Sequence, residues 1–459
     1  MASPMMTRDA MQQLSTRILA MNTADEMRVN ITSGASGNTR FAAGDITTSG
    51  DVEDTVISIT STVGGRRASS TTNLMDDASL KRAVETAERL ARLSPVDPEL
   101  VPELGPQQYQ TINANNADVS NLDAGARAQA VEQLIAAARA PGGAMPIDPA
   151  SLFVAGFLDA SSAARGIATS KGLFAYHAST DVSLSCTART PDGTGSGYAA
   201  AGGRAWTTVD PAGLGRRAAQ KALASRNPVA IEPGRYTVIL EPRAVADFVP
   251  LLIGSFNARS ADEGRSPFSK KGGGTRLGEK IADERVTLLS DPFDPDLLGQ
   301  PFDNDGLPLK RVVWIENGVL RNLAYSRFWA AKKGVEPNSG GGGGGFGRNP
   351  AGLKLTGGTR SVDELIAGTS RGVLVTHFFY IRSLDPRTVQ LTGLTRDGTF
   401  LIENGRITRS IKNFRWNDSP LLSLARLADI GKAEPVESGV VMPALKINDF
   451  TFSSLSDAV

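Results

Sequence analysis

The sequence predicts an α+β protein of two domains, an N-terminal sheet with amphipathic helices followed by a mainly antiparallel β domain. Three observations carry this prediction: a length of 459 residues, 48 glycines against an aromatic content of 6%, and a change of pattern near residue 230. The length exceeds that of one ordinary compact unit. Abundant glycine with few aromatics suits strands joined by many reversals. Before the change, helical and strand-like runs alternate. After it, short apolar runs follow one another, mostly separated by Gly, Pro, Asp or Asn.

Over residues 7–21, Ala10, Met11, Leu14, Ile18 and Met21 recur at helical spacing. Strand-like runs follow at 27–32, 39–47 and 56–63, and Gly64-Gly65 makes a turn. Leu80, Ala83, Val84, Ala87, Leu90 and Ala91 share one face of a helix predicted over 77–93, with acidic residues at its start and Arg92 at its end. A proline-rich connector, 95–106, leads to a helix over 123–140 that Pro141-Gly142-Gly143 stops. Strands are predicted at 152–158, 173–177 and 182–187. Asp210, as an N-cap ahead of Pro211, opens a helix to about Ser225. The prolines between 228 and 233 mark the predicted boundary, dividing residues 1–230 from 231–459. In the second domain strands are predicted at 236–240, 286–289, 311–320, 373–381, 388–392, 400–408 and 411–416. Two of these runs contain Ile-Glu-Asn-Gly, and Asn317-Gly318 and Asn404-Gly405 suit the two positive-φ positions of a type I′ hairpin turn.

Charge and cysteine usage exclude several function classes. Lysine plus arginine (49) nearly cancel aspartate plus glutamate (48), so nothing predicts attraction to nucleic acid or to an anionic membrane. A protein or small-molecule partner is expected. The single cysteine, Cys186, excludes an internal disulfide framework and a cysteine-rich zinc site, and is expected as a small core residue. The first residues form no signal-peptide apolar region, and no apolar run approaches the ~20 residues that span a bilayer. The expectation is a cytoplasmic protein.

Zinc hydrolysis from one helix face needs two histidines about a turn apart and a carboxylate. The chain has only His177 and His377. Asp303-Asn304-Asp305-Gly306 imitates part of a calcium loop, but aligning its glycine to the sixth position puts Pro301 and Val312 where ligating carboxylates belong. An acidic turn before a strand is expected instead. Residues 193–197, Gly-Thr-Gly-Ser-Gly, lack the spacing of a Gly-x-Ser-x-Gly elbow. The glycine run 340–345, followed by Phe346-Gly347-Arg348, offers backbone amides to an anion or a peptide carboxylate, without the Gly-Lys-Ser/Thr of a phosphate loop. Alternation along 373–381 puts His377 on the face of Val373, Val375, Phe379 and Ile381. His377 is therefore expected as a packed core or interface residue, and it is also the one candidate catalytic histidine. Tyr380, Arg382, Asp385 and Arg387 cluster at the strand end, where they either line a peptide groove or form a solvated turn. With Phe346 and Arg348 they are the candidate peptide-binding residues.

Residues 372–416, which hold Thr-His-Phe-Phe-Tyr at 376–380 and Arg-Trp at 415–416, resemble the C-terminal signature of the TldD/PmbA family. Residues 38–42 (Asn-Thr-Arg-Phe-Ala), 72–76, 277–281, 302–306, 313–320 and 327–334 are similar, in order, to further blocks of it. The better-known members work as a pair, a zinc peptidase subunit and a related subunit without the zinc motif. In catalytic members the resemblance implies His-Glu-x-x-x-His on the helix after the strand at 236–240, and a cysteine ligand in a stretch similar to 434–447. Here 242–256 holds neither histidine nor glutamate, and 434–447 holds no cysteine. The resemblance thus implies a TldE/PmbA-like subunit with no catalytic residue, metal or cofactor of its own. It implies pairing with a TldD-like zinc peptidase subunit that carries the zinc, peptides or unfolded proteins as substrates, and peptide maturation or degradation as the role, with a homodimer possible when the chain is alone. Two alternatives stand beside it. One is a metal-free hydrolase or lyase using His377 with Tyr380, Arg382 or Asp385, and the other is a homodimer that binds extended peptides by strand addition.

Overall fold

The structure, a computed structural model, describes residues 5–142, 148–338 and 351–456. The first half is built on α1 (Arg8–Leu19), β1 (Glu26–Ala42), β2 (Asp45–Val63), β3 (Arg66–Thr72), α2 (Asp77–Leu93), α3 (Ala124–Arg139), β4 (Phe153–Thr169), β5 (Phe174–Arg189), β6 (Ser196–Gly203) and α4 (Pro211–Ala224). The six strands pair antiparallel in the order β3-β2-β1-β4-β5-β6. Each of the four helices starts at a side-chain cap: Thr7, Asp76, Asp123 and Asp210 accept the backbone N–H three residues on. All four cover one face of the sheet. Met11, Ile18, Leu80 and Val84 pack on Val29, Ile31 and Ile57, while Val131, Leu134 and Leu214 pack on Leu158 and Leu184.

The helices lie where the sequence predicts them, but the strands are longer than their apolar runs. The run 39–47 contains a turn, because Ala43 (φ 53°) and Gly44 (φ 88°) reverse the chain between β1 and β2. Residues 173–177 and 182–187 fuse into β5 across Ser179, Thr180 and Asp181. Polar and small residues pair as well as apolar ones once a neighbouring strand takes up their backbone groups. The same reason accounts for β3, whose Arg-Arg-Ala-Ser-Ser-Thr-Thr carries no apolar alternation.

Helices α3 and α4 cross closely enough that a Cβ on Gly215 would lie 2.2 Å from the carbonyl oxygen of Leu134. Gly215→Ala is therefore expected to lower stability by about 1–3 kcal/mol in urea unfolding. A rigid backbone atom is in the way, so the ~1 kcal/mol that alanine gains in helix propensity does not compensate.

The second half contains β7 (Gly234–Leu240), α5 (Pro242–Phe248), β8 (Leu288–Ser290), β9 (Val312–Glu316), β10 (Val319–Leu320), β11 (Leu353–Leu355), β12 (Arg371–Asp385), β13 (Gln390–Glu403), β14 (Arg406–Ser410), β15 (Phe414–Asp418), β16 (Leu427–Glu437) and β17 (Val440–Leu455), with shorter helices between some of them. The strand order is β10-β9-β8-β11-β17-β15-β13-β12-β7, with β14 on β13 and β16 on β17. Strand β17 also pairs with β7, so β17, β15, β13, β12 and β7 close on themselves as a small barrel. Pairing is mostly antiparallel; β7 with β12 and β11 with β17 are parallel. Both Asn-Gly turns form as their residues predict, with Asn317 and Gly318 at φ 49° and 75° and Asn404 and Gly405 at 51° and 76°.

The barrel is filled by Phe378, Phe414, Trp416, Phe450 and Phe452, each at most 2% exposed. Helix α5 adds Phe248, whose ring meets Trp416 edge-on at 5.4 Å. Helix α5 ends at Phe248, where a 3₁₀ segment, Val249–Phe256, continues the buried face with Val249 and Leu252. Pro250 lacks the N–H that an α-helix would need there. The acidic turn forms as expected: Asp303 accepts hydrogen bonds from the backbone N–H groups of Asp305 and Leu307.

Candidate functional site

The site grows from a break in β12. Its pairing with β13 shifts register between Val375 and His377, so Phe378, not His377, continues the core face of Val373 and Val375. The alternation that puts His377 with those valines is thereby overturned, since one extra residue in a strand moves every following side chain to the other face. Phe379 lies 43% exposed beyond the break.

His377 is held on three sides. Its Nδ1 lies 3.1 Å from Oδ2 of Asp397, its Nε2 lies 3.7 Å from Oδ2 of Asp247, and the Tyr198 ring stacks on it at 4.3 Å and 10°. Tyr198 comes from β6, so the N-terminal sheet supplies one wall. Asp397 occupies a left-handed position (φ 57°) within β13, before Gly398, and its Oδ1 accepts a hydrogen bond from Ser196 Oγ at 2.5 Å. Burial raises the Asp397 pKa, but the hydrogen bond and charge of His377, with Ser196 and Arg396, outweigh it and bring the carboxyl below its ordinary value.

A second group joins this one through Asp247. On α5, Arg243 and Asp247 stand one turn apart, and the guanidinium donates to Asp247 Oδ1 from Nη2 at 2.5 Å and from Nε at 3.1 Å. Its Nη1 donates to Oε2 of Glu437, at the end of β16, at 3.0 Å. The other oxygen of Asp247 accepts the backbone N–H of Phe378 at 3.1 Å. Burial opposes the charge on Arg243, yet Asp247 and Glu437 more than offset it and raise its pKa above the ordinary arginine value.

This arrangement is built to hold its groups still. In a serine nucleophile relay the hydroxyl bonds to the histidine. Here Ser196 bonds to the aspartate, both ring nitrogens of His377 face carboxylates, and one ring face is covered. Nor does the donor set fit zinc. Residues 242–256 and 434–447, where the resemblance implies the ligands, are brought together in space, but what joins them is the Arg243–Glu437 ion pair. Among the described residues, no group of three or more His, Cys, Asp or Glu is poised to hold a metal ion.

The other sequence-predicted residues lie away from this cluster. Tyr380, 55% exposed and at φ 53°, carries the Arg382 guanidinium 4.2 Å from its ring centroid. Asp385 accepts from the Arg387 N–H and the Thr388 hydroxyl, closing the turn between β12 and β13. Among the described residues no hydrogen bond or ion pair links these four to His377. Phe346, Arg348 and the glycine run 340–345 lie outside the described residues. Sequence reasoning missed Ser196, Tyr198, Arg243, Asp247, Asp397 and Glu437. The four-residue spacing of Arg243 and Asp247 was a readable signal; the approach of Tyr198 from the other sheet was not.

Three family models match in succession: PmbA/TldA metallopeptidase domain 1 over residues 29–91, the central domain over 117–226 and the C-terminal domain over 233–454. The chain belongs to the PmbA/TldD family. A metalloprotease from Methanothermobacter thermautotrophicus is 30% identical over 280 residues, covering 57% of this chain and 58% of its own length. One from Methanocaldococcus jannaschii is 28% identical over 190 residues, covering 39% and 40%. The matched part thus spans less than two thirds of these relatives. The fold is shared along most of the chain: TldE from Thermococcus kodakarensis superposes with a TM-score of 0.82 at 21% identity, covering 96% of this chain and 99% of that one. A Thermotoga maritima protein does so with a TM-score of 0.84 at 20% identity, covering 96% and 100%. Among the described residues no helix is long and apolar enough to cross a membrane.

Proposed function

We propose that this chain is the non-catalytic, TldE-like subunit of a heteromeric TldD-type zinc metallopeptidase, acting in the cytoplasm on peptides or unfolded proteins in their maturation or degradation. The observation that carries this reading is the ion pairing of Arg243 with Asp247 and Glu437. A permanent cation, held by two carboxylates, stands between the two segments from which the resemblance implies that a catalytic subunit draws its ligands. The partner supplies the metal and the water that it activates. This chain supplies scaffold and interface.

Co-expression with a homologue that carries His-Glu-x-x-x-His is expected to yield a stable complex with peptidase activity that a chelator abolishes. Purified alone, the chain is expected to contain far less than one zinc per molecule by elemental analysis. One tightly held zinc per chain, or failure to co-purify with every such homologue from the same source, sinks the proposal.

A further inference from the structure

A second site lies in the N-terminal half, on the free edge of β5. Strand β6 covers β5 only over residues 182–189, so the first part of β5 is a sheet edge. The segment before α3 touches it at one bridge, where Thr180 N–H donates to the Ala114 carbonyl at 2.9 Å. By the two-residue repeat of a strand, the N–H of Ala178 and the N–H and C=O of Tyr176 face the same open side. They face a cavity of about 530 Å³. That is within the range of ~300–1,000 Å³ typical of ligand pockets.

The walls of the cavity define what it accepts. His177 lines it, only 5% exposed, and its Nε2 has no hydrogen-bond partner among the described residues. Burial, with Arg204 and Arg165 nearby, pushes the His177 pKa down to about 4, so the ring is neutral at physiological pH. Gln110 and Asn113 add side-chain amides, which match peptide groups in donor and acceptor chemistry. Among the described residues the walls hold one cation, Arg8, and no carboxylate. Arg8 stacks on Phe174 at 5.2 Å and has no ion-pair partner among the described residues. It stands in the first turn of α1, where the helix dipole adds to its positive potential instead of compensating it.

We propose that this cavity binds an extended peptide segment bearing a carboxylate, which adds as a short strand to β5 at Tyr176 and Ala178 and sets its carboxylate on Arg8. Strand edges recognise peptides through main-chain hydrogen bonds, and a guanidinium recognises a carboxylate with paired donors. His377 itself stands on β12, in the other sheet, and the proposal does not rest on pairing with a zinc subunit.

The test uses the full chain and two fluorescein-labelled hexapeptides of alternating valine and threonine, one with a free C-terminal carboxylate and one amidated. Fluorescence anisotropy is expected to give saturable binding of the acid, and binding of the amide about tenfold weaker, the worth of one charge-assisted contact. Arg8→Gln, at an exposed position, is expected to bring the acid down to the affinity of the amide. Saturation with the acid is also expected to slow hydrogen exchange at the Tyr176 and Ala178 amides of the unaltered chain. Equal affinity for the two peptides, no saturation up to about 1 mM, or exchange protection confined to other strands would each overturn the proposal.

Discussion

Arg243→Met is expected to destabilise the C-terminal domain by about 2–4 kcal/mol, read as a lower urea midpoint with the slope unchanged. Methionine keeps much of the side-chain volume, so the loss is electrostatic. It leaves Asp247, whose side chain is 10% exposed, without its charged donor, while Glu437 loses its partner too. Glu437 is 31% exposed, and water screens part of its loss, which places the effect below that of a fully buried pair. Arg243→Lys is expected to recover less than half, because one ammonium cannot donate in parallel to Asp247 and also reach Glu437. The triple variant Arg243→Met, Asp247→Asn, Glu437→Gln is expected to regain most of the stability, since neutral groups carry no unpaired charge. If Arg243→Met alone changed nothing, the ion pairs would be ornaments of the surface, and the argument that they stand in for a ligand set would fall with them.

The same helix shows where sequence reading reaches its limit. The period of 3.6 located α1 and α2, while a Pro-Gly-Gly stop and an Asp-Pro start located α3 and α4, all of them local features. The Asn-Gly turns were equally local. Strand β3, with no apolar alternation, and the length of β5 were not legible, because what stabilises them is pairing with strands distant in sequence. The bulge at His377 lies beyond periodicity altogether, since it depends on the register that β13 imposes through Asp397 and Gly398. The candidate site follows the same division. His377 was visible as a rare residue type, whereas its neighbours Asp247, Asp397 and Tyr198 are common types that only the fold brings within 5 Å. The lack of histidine and glutamate at 242–256 was readable from residue identity, but the guanidinium that bridges 242–256 and 434–447 was not, because only the fold brings Glu437 to Arg243.

Trp416→Ala is expected to cost about 3–5 kcal/mol, the largest single-residue effect in the chain. The indole is fully buried and meets Phe378 at 4.7 Å, Phe248 at 5.4 Å and Phe450 at 5.8 Å, so its removal leaves a cavity bounded by three strands and α5. Those neighbours belong to a closed ring of strands, which cannot collapse into the void without breaking ladder hydrogen bonds. Trp416→Phe is expected to cost under about 1.5 kcal/mol, because the Nε1–H has no partner among the described residues and no hydrogen bond is lost. Gly393 on β13 provides the complementary test. A Cβ there would lie 2.5 Å from Cζ2 of Trp416, so Gly393→Ala is destabilising only while the indole is present. In a double-mutant cycle measured by urea unfolding, Gly393→Ala with Trp416→Phe is expected to be less destabilising than the sum of the two single changes. Strict additivity would mean that Gly393 serves the twist of β13 instead of making room for the ring, and that the barrel interior is looser than its packing implies.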